Sequence, residues 1–223
     1  MFDQQRATST ATGDAAGRGE PGTLPAVTRL LLLRHAQSEW NEQGRWQGRA
    51  DPPLSEHGRN QARLAAGGID ELTAVAASSL GRASQTARII AEEIGVDGVH
   101  VDDDLMERDV GPWSGLTRAE IEERYPGYLD DRRRPEGWEP DEALLERALA
   151  AIDRLLDAFA GETVMVVTHG GLIYAVERHL GAEWERMPNL GGRWVHAGDD
   201  GLVLGRRLLL VDEDAATPRG EGG

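Results

Sequence analysis

Two unbroken apolar runs, Leu30-Leu31-Leu32-Leu33 and Val164-Met165-Val166-Val167, each give way after one polar residue to a histidine, in Arg34-His35 and Thr168-His169. Neither run alternates with polar residues, so neither can form a sheet with one face in water. Both read as strands buried on two faces, the pattern of a parallel sheet. Parallel neighbours need long crossovers, and helical patterns lie between the strand candidates. Ser55 caps a helix carrying Ala62, Leu64, Ala65 and Ala66 up to Gly67-Gly68. A second runs from Ala83 to Ile94, with Ala87, Ile90, Ala91 and Ile94 on one face and Gly95 as its stop. Thr117 and Glu120 make a capping box for a short helix to Tyr125, and Asp141 opens the longest helix, ended by Gly161. A further helix runs from Gly170-Gly171 to about Leu180.

Weaker strands are expected at Leu72 to Ala77 and Val99 to Val101, with a last one at the sheet edge from Leu202 to Val211. The segment from Ala36 to Pro53 is expected to be an irregular loop, long enough to be functional. Together these predict an α/β fold: a three-layer α/β/α sandwich with a mostly parallel sheet and a small helical cap over about 108–140. One domain is expected over 27–211, flanked by polar tails at 1–26 and 212–223 that hold too few apolar residues to offset their ordering entropy.

Composition closes several routes. The chain has 223 residues and no cysteine, which removes disulfides, thiolate metal sites and a cysteine nucleophile. All 24 basic residues are arginine. Without lysine there is no Walker-type phosphate loop and no Schiff-base chemistry. A net charge of −15 opposes general nucleic-acid binding. The N-terminal segment lacks the apolar stretch of a secretory signal, and no run reaches the roughly 20 apolar residues of a membrane span. The protein is therefore expected in the cytoplasm. Neither nucleic acid nor membrane is an expected partner, and a second copy, as a homodimer, is the macromolecular partner left open.

Polar groups cluster just beyond three strand ends: Arg34-His35, Arg82 and His169. Ligands of open α/β sheets bind at that edge. Two arginines suit a tetrahedral dianion, since each can pair with its oxygens. Of two histidines, one can attack phosphorus while the other donates to the equatorial oxygens, a division that requires no metal. A leaving alkoxide needs a proton donor. Glu107 is the candidate, because the charge of a bound phosphate favours the protonated carboxyl.

The residues that carry this chemistry also carry a resemblance. Arg34-His35-Ala36-Gln37-Ser38-Glu39-Trp40-Asn41 is similar to the Arg-His-Gly-x-Ser-x-x-Asn opening of the histidine phosphatase, or phosphoglycerate mutase-like, family. Trp46 to Ser55 resembles its phosphate loop, Ser78 to Ala87 its second-arginine motif, and Glu107 and Val167 to Gly171 the remaining two. The resemblance covers about Arg29 to Leu180. It implies that His35 becomes phosphohistidine, that Arg34, Arg82 and His169 hold the phosphoryl group, and that Glu107 protonates the leaving oxygen. It further implies that Asn41, Gln47 and Gly48 line the phosphate pocket with Ser38 and Gly170, and that neither cofactor nor metal is needed.

Two positions depart from the pattern. Ala36 stands where the family has glycine, and Gly137-Trp138-Glu139-Pro140 replaces a Gly-Glu-Ser turn. Only 61 residues separate Glu107 from His169, a short cap that looks like the phosphatase branch. The expectation is a phosphoric monoester hydrolase whose partner is a small phosphorylated substrate. A cofactor-dependent mutase and a phospho-ligand-binding protein without turnover are the alternatives, the last resting on Ala36. His57, His100, His179 and His196 are expected to be structural or solvated. Trp40, Trp46 and Trp113 are candidates for site walls, whereas Trp138, Trp184 and Trp194 are expected to pack. The run Arg132-Arg133-Arg134 reads as a solvated loop whose position permits a second anionic contact. Asp102 to Asp104 lack a histidine at ligand spacing, so no metal site is expected.

Overall fold

A computed structural model describes residues 27–69, 72–198 and 201–211. The apolar runs form its two central strands. β1 (Arg29–Arg34) pairs in parallel with β4 (Thr163–Thr168), from Arg29 opposite Thr163 to Arg34 opposite Thr168. On the far side of β4 lies β2 (Ala74–Ser78) and then β3 (His100–Asp102), both parallel. On the far side of β1, β5 (Gly191–Gly198) pairs antiparallel with β1 and β6 (Gly201–Leu209) antiparallel with β5, giving the sheet order β3-β2-β4-β1-β5-β6.

Because strand side chains alternate, the four leucines serve both faces. Leu30 and Leu32 pack with Val164 and Val166 against α5 (Asp141–Ala158) and α6 (Gly170–His179). Leu31 and Leu33 pack with Met165 and Val167 against α2 (Glu56–Ala65) and α3 (Gly81–Ile94). All eight side chains have no exposed surface. At about 1.5–3 kcal/mol for each fully buried aliphatic side chain, they anchor the three layers.

Helix ends follow the expected caps. Ser55 accepts from Gly58 N–H at 3.0 Å, Gly95 closes α3 at φ 72°, and the Thr117–Glu120 box starts α4 (Arg118–Arg124). Three local expectations are corrected. The Ala36–Pro53 segment contains a short helix, α1 (Glu39–Glu42), capped by Ser38. α3 begins two residues early, at Gly81. β5 was not expected at all, because Gly191-Gly192 at its start reads as a turn. Its neighbour β6 is at the edge, as expected.

Between β3 and α5 the chain builds a small core of its own. Fully buried Trp113 is met by Trp46, Tyr125 and Trp138, with ring centroids 5.4, 6.1 and 5.5 Å away. The segments 1–26 and 212–223 lie outside the described residues. Among the described residues, no helix is long and apolar enough to cross a membrane.

Candidate active site

The register of β1 against β4 ends at Arg34 opposite Thr168, so the next residues, His35 and His169, emerge side by side. Their ring centroids are 5.2 Å apart and both are buried. The partners of His35 determine its tautomer. Nδ1 lies 2.7 Å from the Ala36 carbonyl, which can only accept, so Nδ1 carries the proton. Nε2 then presents its lone pair, and the Arg82 Nε–H points at it from 3.3 Å. His169 is held from the other end, with Nε2 2.9 Å from Ser78 Oγ. Its Nδ1 is buried and meets no hydrogen-bond partner among the described residues.

Arg82 is almost wholly buried, and its guanidinium donates to the carbonyls of Ala50 at 2.6 Å and Gly48 at 2.9 Å. Asp51, in the same loop, accepts from Gly81 N–H at 2.6 Å and Arg82 N–H at 3.3 Å, capping α3 from a distant segment. Arg34 reaches out from the end of β1, with Nη1 donating to the Met187 carbonyl at 2.7 Å. Glu107 is fixed by two backbone donors, Arg108 N–H at 2.8 Å and Gly171 N–H at 3.1 Å. A Cβ at residue 171 would displace that carboxyl, so the glycine leaves room for Glu107 in this position.

Arg34, His35, Arg82 and Glu107 line together a cavity of about 390 Å³, and His169, beside His35, is not part of that lining. Burial first, then Arg82, pushes both imidazoles well below the usual histidine range, so both are neutral near pH 7. Burial likewise lowers Arg82 to about 10, against the opposing pull of Glu107 and Asp51, and it stays charged. A neutral imidazole thus lies beside two cations and a second neutral imidazole, an arrangement suited to a tetrahedral dianion.

Of the expected pocket residues, Asn41, Gln47, Gly48 and Gly170 line the cavity. Gly48 has φ 55°, and a Cβ there would come within 2.6 Å of Val110 Cγ2. Ser38 is placed differently. It is fully buried behind the wall and donates from Oγ toward Asn41 Oδ1 and Gln47 Oε1, both at 3.0 Å, while capping α1. Among the tryptophans, Trp46 lines the cavity as expected, but Trp138 lines it too, while Trp40 and Trp113 do not. The carboxylates of Asp102 and Asp104 are taken up by Arg154, at 2.8 and 2.7 Å.

A sequence model of the histidine phosphatase superfamily (branch 1) matches residues 30–196. The chain belongs to the histidine phosphatase superfamily. Among its relatives, a metal-independent phosphoserine phosphatase of Arabidopsis thaliana is 36% identical over 160 residues, 67% of either chain. A bifunctional protein of Mycobacterium tuberculosis is 41% identical over 175 residues, which are 75% of this chain and 48% of that one. The chain thus spans about half the length of the first curated relatives it matches. The structure of a mycobacterial glucosyl-3-phosphoglycerate phosphatase complexed with VO3 is similar at a TM-score of 0.71 and 32% identity, covering 79% of this chain and 96% of that one.

Within this histidine phosphatase domain, Ala36 occupies the family's glycine position without strain. It does not adopt the left-handed backbone, its methyl is fully buried in the α2–α3 face of the core, and its N–H donates to Thr86 Oγ1 at 3.2 Å. Sequence reasoning overlooked Arg147 and Asn189. Arg147 donates to the carbonyls of Asp104, Met106 and Glu107 at 2.8, 2.6 and 3.0 Å and pairs with Glu139, so it ties the Glu107 segment to α5. Asn189 donates to the His35 carbonyl at 2.8 Å. Neither belongs to a motif, and no local signal marks them. Ser78 and Asp51 do fall inside the matched motifs, and their positions there were the available signal.

Proposed function

We propose that the protein is a metal-independent phosphoric monoester hydrolase for a small phosphorylated metabolite. The observation that carries this reading is His35 in the cavity lining, with Nδ1 on the Ala36 carbonyl and Nε2 left to accept from Arg82. In the first half-reaction Nε2 attacks phosphorus, the ester P–O bond breaks, and the leaving oxygen takes a proton from Glu107. In the second, a water oxygen attacks phosphorus, Glu107 takes the water's proton, and the P–N bond breaks to release phosphate. Arg34, Arg82 and His169 Nδ1 hold the equatorial oxygens throughout, supplying the charge stabilisation that the transfer requires. Asn41, Gln47 and Gly48 complete the pocket, with Ser38 setting the first two. The phosphatase names of the relatives and the short cap support hydrolysis over transfer to a second phospho-acid. A cytoplasmic setting belongs to the same reading.

Release of phosphate from phenyl phosphate in EDTA tests it directly. His35→Ala should remove the activity, and an alkaline quench during turnover should trap acid-labile phosphate on the wild-type chain. Complete loss of turnover in EDTA would overturn metal independence. Conversion of 3- to 2-phosphoglycerate stimulated by bisphosphoglycerate would assign a mutase instead.

A further inference from the structure

The segment joining α6 to β5 touches Arg34 and His35 three times. The Met187 carbonyl accepts from Arg34 Nη1 at 2.7 Å, Leu190 N–H donates to the Arg34 carbonyl at 3.0 Å, and Asn189 Nδ2 donates to the His35 carbonyl at 2.8 Å. Leu190 makes its contact from a left-handed backbone, φ 56°, although it is a fully buried leucine. That conformation costs a non-glycine residue about 1 kcal/mol or more and persists only where the surroundings over-determine it. The segment is therefore held from outside itself.

Two side chains grip it. Tyr174 Oη accepts from Met187 N–H at 2.7 Å. Arg207 donates from Nη2 to the Glu185 carbonyl at 3.0 Å and from Nη1 toward that of Arg186 at 3.4 Å. The Arg186 carbonyl and Met187 N–H belong to one planar peptide unit, so Arg207 and Tyr174 hold its two ends. Arg207 stands on β6, the outermost strand, and lines no part of the reacting cavity. Its own place is set by Glu177 of α6, a buried carboxylate that accepts from Arg207 Nε at 2.8 Å and from Nη2. A bulge in β6 arranges this meeting. Arg193 pairs with Arg207 and Val195 with Leu204, so Gly205 and Arg206 together oppose Trp194. A Cβ at residue 205 would come within 2.8 Å of Trp194 Cβ, which is why the bulge takes a glycine. The extra residue shifts the strand's phase: Leu204 packs with the α5–α6 layer, Leu208 with the α2–α3 layer, and Arg207 turns to Glu177. The result is costly. Arg193 and Arg207 lie directly opposite each other and share one carboxylate, with Arg193 Nε 3.3 Å from Glu177 Oε1. Like charges so placed repel, and a buried ion pair returns little net stability, so fastening the sheet edge does not account for it.

We propose that Arg207 is a positioning residue for Arg34: by holding the carbonyls of Glu185 and Arg186 it fixes the Met187 carbonyl, and that carbonyl sets the orientation in which Arg34 meets the phosphoryl oxygens. Glu177 orients the Arg207 fork, and Tyr174 steadies the same peptide from the cavity side. A planar guanidinium is needed, because one side chain must serve a carboxylate and two carbonyls together. This inference rests on the role given to Arg34 in the hydrolase reading, and its test keeps the two separate.

The probe is dilute orthovanadate, and its affinity is measured by calorimetry on the unaltered chain, Arg34→Ala, Arg207→Gln and the double variant, with urea midpoints to show that each is folded. Arg34→Ala should weaken binding about 30-fold or more, and Arg207→Gln about tenfold. The double variant should bind no more weakly than Arg34→Ala alone, because Arg207 acts through Arg34. Arg207→Lys keeps the charge beside Glu177 without the fork, and it replaces Arg207→Gln in the cycle if that variant does not fold. It should weaken vanadate binding several-fold with Arg34 present and leave it unchanged in Arg34→Ala. Full affinity in the Arg207 variants overturns the proposal. So does an equal loss with and without Arg34, which is what general loosening of the fold would give, and so does an unaltered chain that binds no vanadate. Absence of His35-dependent turnover of phenyl phosphate would sink the hydrolase reading instead, and the vanadate cycle would still judge Arg207.

Discussion

The proposed reaction asks one imidazole, that of His35, to keep its proton on Nδ1 and its lone pair on Nε2. The Ala36 carbonyl and the Arg82 Nε–H enforce that choice, and burial keeps the ring neutral. Removing the ring should lower kcat/KM roughly 10⁴-fold or more, as loss of a covalent nucleophile does elsewhere. Because the folded pKa lies well below 6.5, the neutral nucleophile persists as pH falls through that value. A profile of kcat/KM, corrected for ionisation of the substrate, should stay flat from pH 7 to pH 6. An enzyme limb centred near 6.5 would contradict it. The same shift affects stability. Below pH 6.5 the unfolded chain takes up protons that native His35 and His169 refuse, so stability is complete above 6.5 and declines beneath it. The decline is at most about 1.4 kcal/mol per pH unit for each histidine. Urea midpoints at pH 7 and pH 5.5 in phosphate-free buffer should show it, with a shallower slope in His35→Ala.

At the scale of elements, the start of α6 and the segment after β3 share one contact, the Glu107 carboxyl against Gly171 N–H. Gly171→Ala puts a methyl where the carboxyl lies. It should lower kcat roughly 10²-fold with a smaller effect on KM, since a displaced proton donor loses transition-state help more than binding. Arg147 on α5 holds the same segment by its carbonyls and is largely buried with Glu139. Arg147→Leu leaves the Glu139 carboxylate and three carbonyls short of a partner. A loss of about 3 kcal/mol in chemical denaturation is expected, with faster hydrogen exchange at Met106 to Asp109. Much of the element level was legible in advance. The caps at Ser55 and Thr117 and the stop at Gly95 use residues four or fewer positions away, so local sequence reports them. β5 was not legible, because it borrows its order from β1 and has little apolar pattern of its own.

Across the whole molecule, three strand ends, the loop after β1 and the cap close on one charged cavity, so occupancy should stabilise all of them together. Vanadate at 100 times its dissociation constant should add about 2.7 kcal/mol of stability, or roughly 5–10 °C in Tm for a domain of this size. Differential scanning calorimetry would register the shift, and Arg82→Ala should largely remove it. No shift at saturating vanadate would mean that the cavity does not hold a tetrahedral or trigonal oxyanion.

The sequence by itself determined the layers and the chemistry available to them. Two doubly buried strands each deliver a histidine, an arginine opens the helix after a third, and no lysine or cysteine competes. Those conclusions rest on side-chain periodicity and residue type, which act over a few positions. Only the tertiary structure decided how the groups meet. The register of Arg34 against Thr168 brings together two histidines 134 residues apart in the chain, and Asp51 caps a helix thirty residues away. Trp138, expected to pack, walls the site. Ser38, expected to touch substrate, braces Asn41 and Gln47 from behind. Such contacts depend on strand register and on the packing of the cap, and no local pattern encodes either.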